Sequence, residues 1–453
     1  MFKAQKIDRS NYLFDNRALV ALIIPLIIEQ FLAVLVGIAD GAMVARVGEA
    51  AMSGVSLVDS IMVLMINLLS ALATGGAVVA GQYLGQKKQE DACKAATQLV
   101  WFMGIAATIV MIIMYIAKNL ILQNVFGEIE ADVMEHANIY FLIVVASVPF
   151  LAIYNAGAAI FRSMGNSKVS MIVSLIMNVI NVTGNAILIL GFHRGTEGVA
   201  IPTLVSRMVS AILIVVLLCD QSRLLHIEKT WKFRFNWKMI KGILRIGVPN
   251  GMESSMFQLG KVIVLSLVSS FGTHAIAANA ASNNIAMFQM LPGLATSLAM
   301  TTVISRCVGA GDYEQVTYYT KKLIGISYLG MLVTNTFILA ILPQILSIYD
   351  LEPVTEQMAE QILIFHGIMG FLLWSMAFVL PATFRAAGDV KACMIISITS
   401  MWIFRIMFSY ILGKYMGIGV FGVWVAMIID WIFRIICFLI RYKSGKWKKK
   451  AIV

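Results

Sequence analysis

AIFRSMGNSKVSMI (residues 159–172) returns 223 residues later as ATFRAAGDVKACMI (residues 382–395), with seven of the fourteen positions identical. Phe161, Arg162, Gly165, Lys168 and Met171 recur as Phe384, Arg385, Gly388, Lys391 and Met394. At an offset of 224, Pro25 matches Pro249, Glu29 matches Glu253, Gly48 matches Gly272 and Gly85 matches Gly309. A chain of 453 residues that repeats at nearly half its length is read as two copies of one unit. The fold question then becomes how many helices each copy holds and which way up they lie.

The copies are hydrophobic. Sixty per cent of residues are apolar and 13% are charged, against about 25% charged in soluble domains. Mean hydropathy is +0.85, and apolar runs of about 20 residues are long enough to cross a bilayer. The runs fall at 18–41, 52–83, 96–117, 138–160, 168–191, 197–219, 243–269, 277–304, 322–345, 361–382, 391–413 and 417–441. The expected fold is an all-α polytopic membrane protein with twelve transmembrane helices in two pseudo-symmetric six-helix lobes. Residues 1–219 would form the first lobe, 220–242 a basic cytoplasmic linker and 243–453 the second lobe. An even number of helices per copy inserts both copies the same way up, an arrangement found in secondary transporters with a cleft between halves. The first run is long and lacks a small-residue cleavage site, so no cleaved signal peptide is expected.

Charge placement sets the topology. With both termini inside, 27 of the 35 Lys and Arg residues fall in inner segments and four (Arg46, Lys118, Arg194, Lys414) in outer loops. This is the positive-inside bias. The outer loops are acidic instead, with Glu128, Glu130, Asp132 and Glu135 in one and Asp350, Glu352, Glu356 and Glu360 in another. The net charge of +11 therefore reports orientation and an affinity for anionic lipid, not nucleic-acid binding. The plasma membrane, with cytoplasmic termini, is the expected location. The five cysteines are scattered without ligand spacing, and no Walker A, HExxH or G-x-S-x-G sequence is present. Neither a cofactor nor enzymatic catalysis is expected, and no ATP would be bound by this chain to drive transport.

Charges inside spans are functional candidates by default, because each is costly unless paired or hydrated. Five acids (Glu29, Asp40, Asp59, Glu253, Asp430) and four bases (Arg207, Lys261, Arg405, Arg434) qualify. Asp430 and Arg434 stand four apart and can pair on one helix face. Asp59 lies near the outer end of its span and could reach water; Arg207 and Arg405 could serve packing or snorkel. Glu29 and Glu253 each follow a proline by four residues. Proline lacks an N–H and frees the carbonyl four residues earlier, so Pro25 and Pro249 are candidate hinges beside titratable groups. With Lys261, Glu29 and Glu253 are the candidate residues of the substrate and lobe interface, where Glu253 would attract cationic substrates; polar packing between lobes is the competing reading of both glutamates. Asn178, Asn181 and Asn185 follow a 3-4 spacing that lines one helix face, with Asp40 a plausible partner. Amide oxygens with one carboxylate suit a hard cation such as sodium at Asp40 and Asn181, or a hydrogen-bonded proton. Interhelical hydrogen bonding alone is the alternative there.

GIADGAMVARVGEAAMSGVSL (37–57), FRSMGNSK (161–168), GVPNGMESSMFQLG (247–260), FGTHAIAANAASNNI (271–285), SRCVGAGDYEQ (305–315) and FRAAGDVK (384–391) together resemble the multidrug and toxic compound extrusion family over essentially the whole chain. The resemblance implies two six-helix lobes around a V-shaped cavity. It also implies export of bulky, often cationic organic compounds in exchange for protons or sodium. Position by position, Pro25 and Asp40 resemble the family's first-helix proline and carboxylate, Asn181 its fifth-helix asparagine, and Tyr140 and Thr203 further members of an ion-coupling cluster. Glu253 resembles a seventh-helix glutamate of one branch. Two positions depart from the pattern: Asn185 and Trp374 stand where branches of the family carry aspartate. The coupling ion, proton or sodium, is therefore open, and Lys261, two turns beyond Glu253, bears on the same question. Alternating access by rocking lobes is the expected mechanism, with membrane lipid as neighbour and a monomer as the expected state. A lipid-linked oligosaccharide flippase with a basic cavity and a non-transporting scaffold or receptor are the rival classes.

Overall fold

The computed structural model describes residues 12–125, 130–228 and 234–453. Glu128, the basic residues Lys3, Lys6 and Arg9, and Lys229 and Lys232 of the expected linker lie outside the described residues. The first half holds α1 (Asn16–Ala45), α2 (Glu49–Gly85), α3 (Gln89–Ile116), α4 (Ala131–Ala146), α5 (Val148–Ser163), α6 (Ser167–Gly191) and α7 (Glu197–Leu218). The second holds α8 (Trp237–Ser269), α9 (Thr273–Gly309), α10 (Tyr313–Ala340), α11 (Pro353–Ala386), α12 (Val390–Tyr415) and α13 (Val420–Ser444).

Among the described residues, ten helices are long and apolar enough to cross a membrane, and α4 with α5, bent by 44° where they meet, makes an eleventh span. The twelfth is α8, 33 residues long against 30 for α1, its counterpart in the repeat. Its lower apolarity comes from Glu253, Ser254, Gln258 and Lys261, which line an internal cavity and so are not spent on lipid. Along α1, by contrast, Val20, Ile24, Ile28, Phe31 and Leu35 form an exposed apolar stripe at helical spacing, as a lipid-facing side requires. At 37 residues each, α2 and α9 run about 55 Å at 1.5 Å per residue, so they project beyond the hydrocarbon.

Two buried cores follow the two halves, with an exchange at their edges. Leu19, Leu22, Ile23 and Leu26, from the first turns of α1, belong to the second core, while Met239, Ile243 and Ile246, from the first turns of α8, belong to the first. The entry to each of these helices is pinned by the opposite half. Phe14 is held by Tyr319 through both its N–H (3.0 Å) and its carbonyl (2.6 Å), and Asn236 N–H donates to Gln98 Oε1 at 3.0 Å. The start of α8 at Trp237, six residues before the expected 243, is explained by the Asn236 side chain, which caps it through Met239 N–H at 3.3 Å. Much of the expected linker is also not free chain: Leu225 and Ile227 are buried in the first core.

At one end the halves are sealed by the repeat itself. A Cβ on Gly85 would lie 2.1 Å from the Arg306 carbonyl, and one on Gly309 would lie 2.0 Å from that of Gln82. Only glycine allows α2 and α9 to approach so closely. Around this contact, Arg306 Nε donates to Ser163 O at 3.0 Å and Gln82 Nε2 to Ala386 O at 2.9 Å. Gln82 and Arg306 are equivalent in the repeat, as are Ser163 and Ala386, so each half closes on the matching carbonyl of the other.

Candidate functional site

Pro25 and Pro249 lie inside unbroken helices. The carbonyl that Pro25 frees, on Ala21, is taken up by Ser167 Oγ, which lies 3.3 Å from it and 2.6 Å from the Leu22 carbonyl. The two glutamates following these prolines have the same partner by symmetry. Arg162 Nη1 contacts Glu29 Oε1 at 3.2 Å, and Arg385 Nη2 contacts Glu253 Oε1 at 2.6 Å. Ser170 Oγ adds a 2.8 Å bond to Glu29 Oε2. Thus the repeated Pro-x-x-x-Glu and Phe-Arg-x-x-Gly elements, far apart in sequence, form one ion pair per half. Glu253 is therefore not a free anion awaiting a cationic ligand, as the sequence suggested.

Asp40, Asn181, Asn185, Thr203 and Tyr140 do come together, in the first half. Gly184 makes this possible, because a Cβ there would lie 2.7 Å from Pro202 of α7, and the close approach brings Asn181 and Asn185 between α1 and α7. Asn185 Nδ2 donates to Asp40 Oδ1 at 2.7 Å. Asn181 turns its amide nitrogen toward Asp40, donating to Oδ1 at 2.9 Å and Oδ2 at 3.2 Å, and its oxygen lies 3.0 Å from Thr203 Oγ1. The Thr203 hydroxyl also stands 2.9 Å from Val199 O. Both amides thus donate to Asp40, an arrangement that suits an ionised carboxylate.

Two residues set aside in the sequence complete this cluster. Asp59 does not reach out to water; it accepts the Tyr140 hydroxyl at 2.9 Å. Arg207 does not snorkel: it donates to Ser147 Oγ at 2.7 Å and stands within electrostatic reach of both Asp40 and Asp59. Asp40 therefore has the basic neighbour that its sequence context hid. Asn178 is buried on the same helix face, but its Nδ2 has no protein partner and it makes no bond to Asp40.

The second half has kept the frame and replaced the chemistry. Asp40 corresponds to Val264, and Asn178, Asn181 and Asn185 correspond to Met401, Phe404 and Phe408. Elsewhere in this half there is a cavity of about 410 Å³ lined by Glu253 and Lys261 of α8, Trp374 of α11, Arg405 of α12 and Trp424 and Arg434 of α13, among others. Trp374 stacks on Phe378 with ring centroids 5.0 Å apart. Asp430 and Arg434 form the expected i,i+4 pair at 3.1 Å. Arg405 lines the cavity instead of snorkelling, and Lys261 lies over the Phe257 ring at 5.2 Å without an ion pair to Glu253. Trp374 and Arg405 sit in π-helical stretches, Gly370–Val379 and Ser400–Ile406, which turn side chains away from the α-helical phase. A second cavity of about 550 Å³, between α1 and α9, shares Met287 and Leu294 with the first.

Sodium at Asp40 and Asn181 meets a donor set of suitable elements in an unsuitable orientation. The carboxylate receives N–H groups from one or both amides and faces Arg207. A cation there would require both amides turned oxygen-inward and would sit against a guanidinium.

Duplicated six-span halves, sealed at one end and holding buried polar sites inside each half, define a multi-pass membrane transporter. The family model MatE matches residues 25–187 and again 249–411, at the offset of the internal repeat, and the chain belongs to that family. It is 25% identical, over 97% of its length and 94% of the relative's, to "Probable multidrug resistance protein NorM" of Thermotoga maritima. It is 26% identical, over 94% of each chain, to "Uncharacterized transporter YisQ" of Bacillus subtilis. Its fold matches a solved outward-facing "multidrug resistance MATE family transporter" with a TM-score of 0.89 at 22% identity, covering 95% of this chain and 96% of that one.

Proposed function

We propose that the protein is a secondary multidrug exporter that exchanges small organic molecules for protons by alternating access, with Asp40 as the proton-linked group. The observation that carries this reading is the Asp40 cluster: a carboxyl within a membrane span that accepts from Asn185 and Asn181 and stands beside Arg207, so that taking up a proton alters all three contacts at once. In the proposed cycle, protonation of Asp40 weakens the bonds from the two amides and cancels the attraction to Arg207. Helix α1 carries the change, because its first turns are packed in the second core while Asp40 lies in the first half. Pro25, between them, is the point at which the helix yields most cheaply. The lobes 1–219 and 243–453 then rock about the seal at Gly85 and Gly309, in a plasma membrane with both termini cytoplasmic.

A drug-sized compound fits the cavity of about 410 Å³, which is walled by aromatic rings of the second half and reached by Asn67 of the first; its Lys261, Arg405 and Arg434 are the feature that favours the lipid-linked oligosaccharide flippase as the second reading. The test is ethidium and neutral-dye efflux from proteoliposomes with an imposed proton or sodium gradient. Efflux should follow the proton gradient in sodium-free buffer. Efflux that needs sodium, or no flux under either gradient, would remove the reading.

A further inference from the structure

The cavity of the second half carries more positive charge than its own carboxylates can balance. Arg434 is matched by Asp430 at 3.1 Å, and Glu253 is matched by Arg385, behind the wall, at 2.6 Å. Lys261 and Arg405 remain, and neither forms an ion pair among the described residues. They are not dispersed. Lys261 Nζ lies 5.2 Å and the Arg405 guanidinium 5.5 Å from the centre of the same Phe257 ring, within electrostatic reach of each other. Two like charges held together inside a membrane protein are unfavourable unless an anion joins them.

Unused hydrogen-bond donors are gathered at the same place. Arg405 Nε and Trp431 Nε1 are buried without a protein partner. Buried donors normally have partners, so two such nitrogens around one cavity point to a missing acceptor. Unpartnered oxygens also occur, on Glu253 and Asp430, but each of those carboxylates already has its arginine. The repeat shows that the two cations belong to this half alone. Lys261 corresponds to Gly37 and Arg405 to Val182, so neither is part of the shared frame.

We propose that this cavity recognises an amphipathic organic anion. Its flat apolar body would lie among Trp374, Phe378 and Trp424, and its carboxylate, sulfonate or phosphate would bridge Lys261 and Arg405. The planar guanidinium offers two parallel N–H donors to such a group, and the ammonium completes its neutralisation. This deepens the exporter reading, on which it rests, by giving the substrate a charge opposite to the cationic one that the family resemblance implies.

The test is equilibrium binding of two naphthalenes that share a ring and differ in charge, naphthalene-2-sulfonate and 2-naphthyltrimethylammonium, to the purified full-length protein by titration calorimetry. The sulfonate should bind at least tenfold more tightly. Lys261→Met and Arg405→Met should each weaken the sulfonate tenfold or more without weakening the ammonium, and Arg405→Lys should retain most of the preference. Displacement of the sulfonate by dihexanoyl phosphatidylglycerol, but not by the phosphatidylcholine, would support a lipid headgroup as the natural anion. Lack of displacement by either would support a soluble one. Equal affinity for the two naphthalenes in the wild-type protein, or sulfonate binding indifferent to both Met substitutions, would overturn the proposal. Binding needs no gradient, so its failure is distinguishable from failure of proton-driven export.

Discussion

Replacing Glu253 by Gln should unsettle the protein before it alters any preference among substrates. The Arg385–Glu253 contact is 2.6 Å, with side chains 20% and 10% exposed, so solvent screens it little. Unit charges about 4 Å apart at an effective dielectric of about 20 attract by roughly 4 kcal/mol. Removing one member of a buried pair costs about 3–5 kcal/mol, because the other charge is left uncompensated. In a chain of this length each kcal/mol moves the unfolding midpoint by about 1–2 °C, so Glu253→Gln should lower it by roughly 5 °C. Arg385→Gln should do the same. The double substitution Glu253→Gln/Arg385→Gln should cost less than the sum of the two, since neither charge is then stranded. The assay is thermal unfolding of the purified protein, followed by tryptophan fluorescence, for all four members of the cycle. The symmetric pair Glu29–Arg162 should give a cycle of the same sign. Additive losses in the Glu253 cycle, or an unchanged midpoint with a selective loss of cationic-dye efflux, would refute the ion-pair reasoning and return Glu253 to substrate recognition.

Asp40→Asn should abolish proton-driven efflux while leaving expression and the unfolding midpoint close to wild type, because the amide keeps the shape but cannot carry the proton; wild-type flux in proteoliposomes would count decisively against Asp40. Asn185→Asp would place a second carboxyl at the 2.7 Å contact with Asp40, and two acids at that distance share a proton. Proton-driven efflux by that variant should persist to higher pH than in wild type, and an unchanged pH profile would show that the two residues do not act together. Gly309→Ala should force the sealed end apart, since its Cβ would meet the Gln82 carbonyl at 2.0 Å. The buried Cys307 thiol beside it should then react with maleimide, read by mass spectrometry at that residue, whereas in wild type it should not.

The frame was legible in the sequence because it depends on regular periodicities: apolar runs, a charge bias and a repeat at a near-constant offset. The Asp40–Asn185 contact was legible for the same reason, since α6 is a regular helix where its asparagines lie and the 3-4 spacing defines one face. What escaped depended on packing between helices or on broken helical phase. Asp59 joins the cluster because α2 and α4 touch at Gly54, where a Cβ would lie 2.7 Å from Ala137 N, and nothing local to Asp59 signals that approach. Arg405 and Trp374 lie in π-helical stretches, where counting 100° per residue assigns the wrong face. The Glu29–Arg162 and Glu253–Arg385 pairs were visible only as two separate coincidences of the repeat, whose connection required the fold.

If the proposed function holds, the duplication also explains why proton and substrate need not compete for one site. Both halves retain the elements that fix their relative position: the Pro and Glu of the entry helix, the Arg that answers the Glu, and the glycines at the seal. Those elements are tied to each other across the repeat, because each half closes on the matching part of the other. The interior positions of α6 and α12 carry no such obligation. There the first half holds Asn178, Asn181 and Asn185, and the second holds Met401, Phe404 and Phe408. An amide stripe can hold a proton-linked carboxyl but offers little apolar surface to a drug-sized molecule. The cavity of the second half offers that surface through Trp374, Phe378, Trp424 and Trp431. On the proposed function, the division places the two jobs in opposite halves and leaves α1, rooted in the second core and carrying Asp40 into the first half, as the element through which one can bias the other.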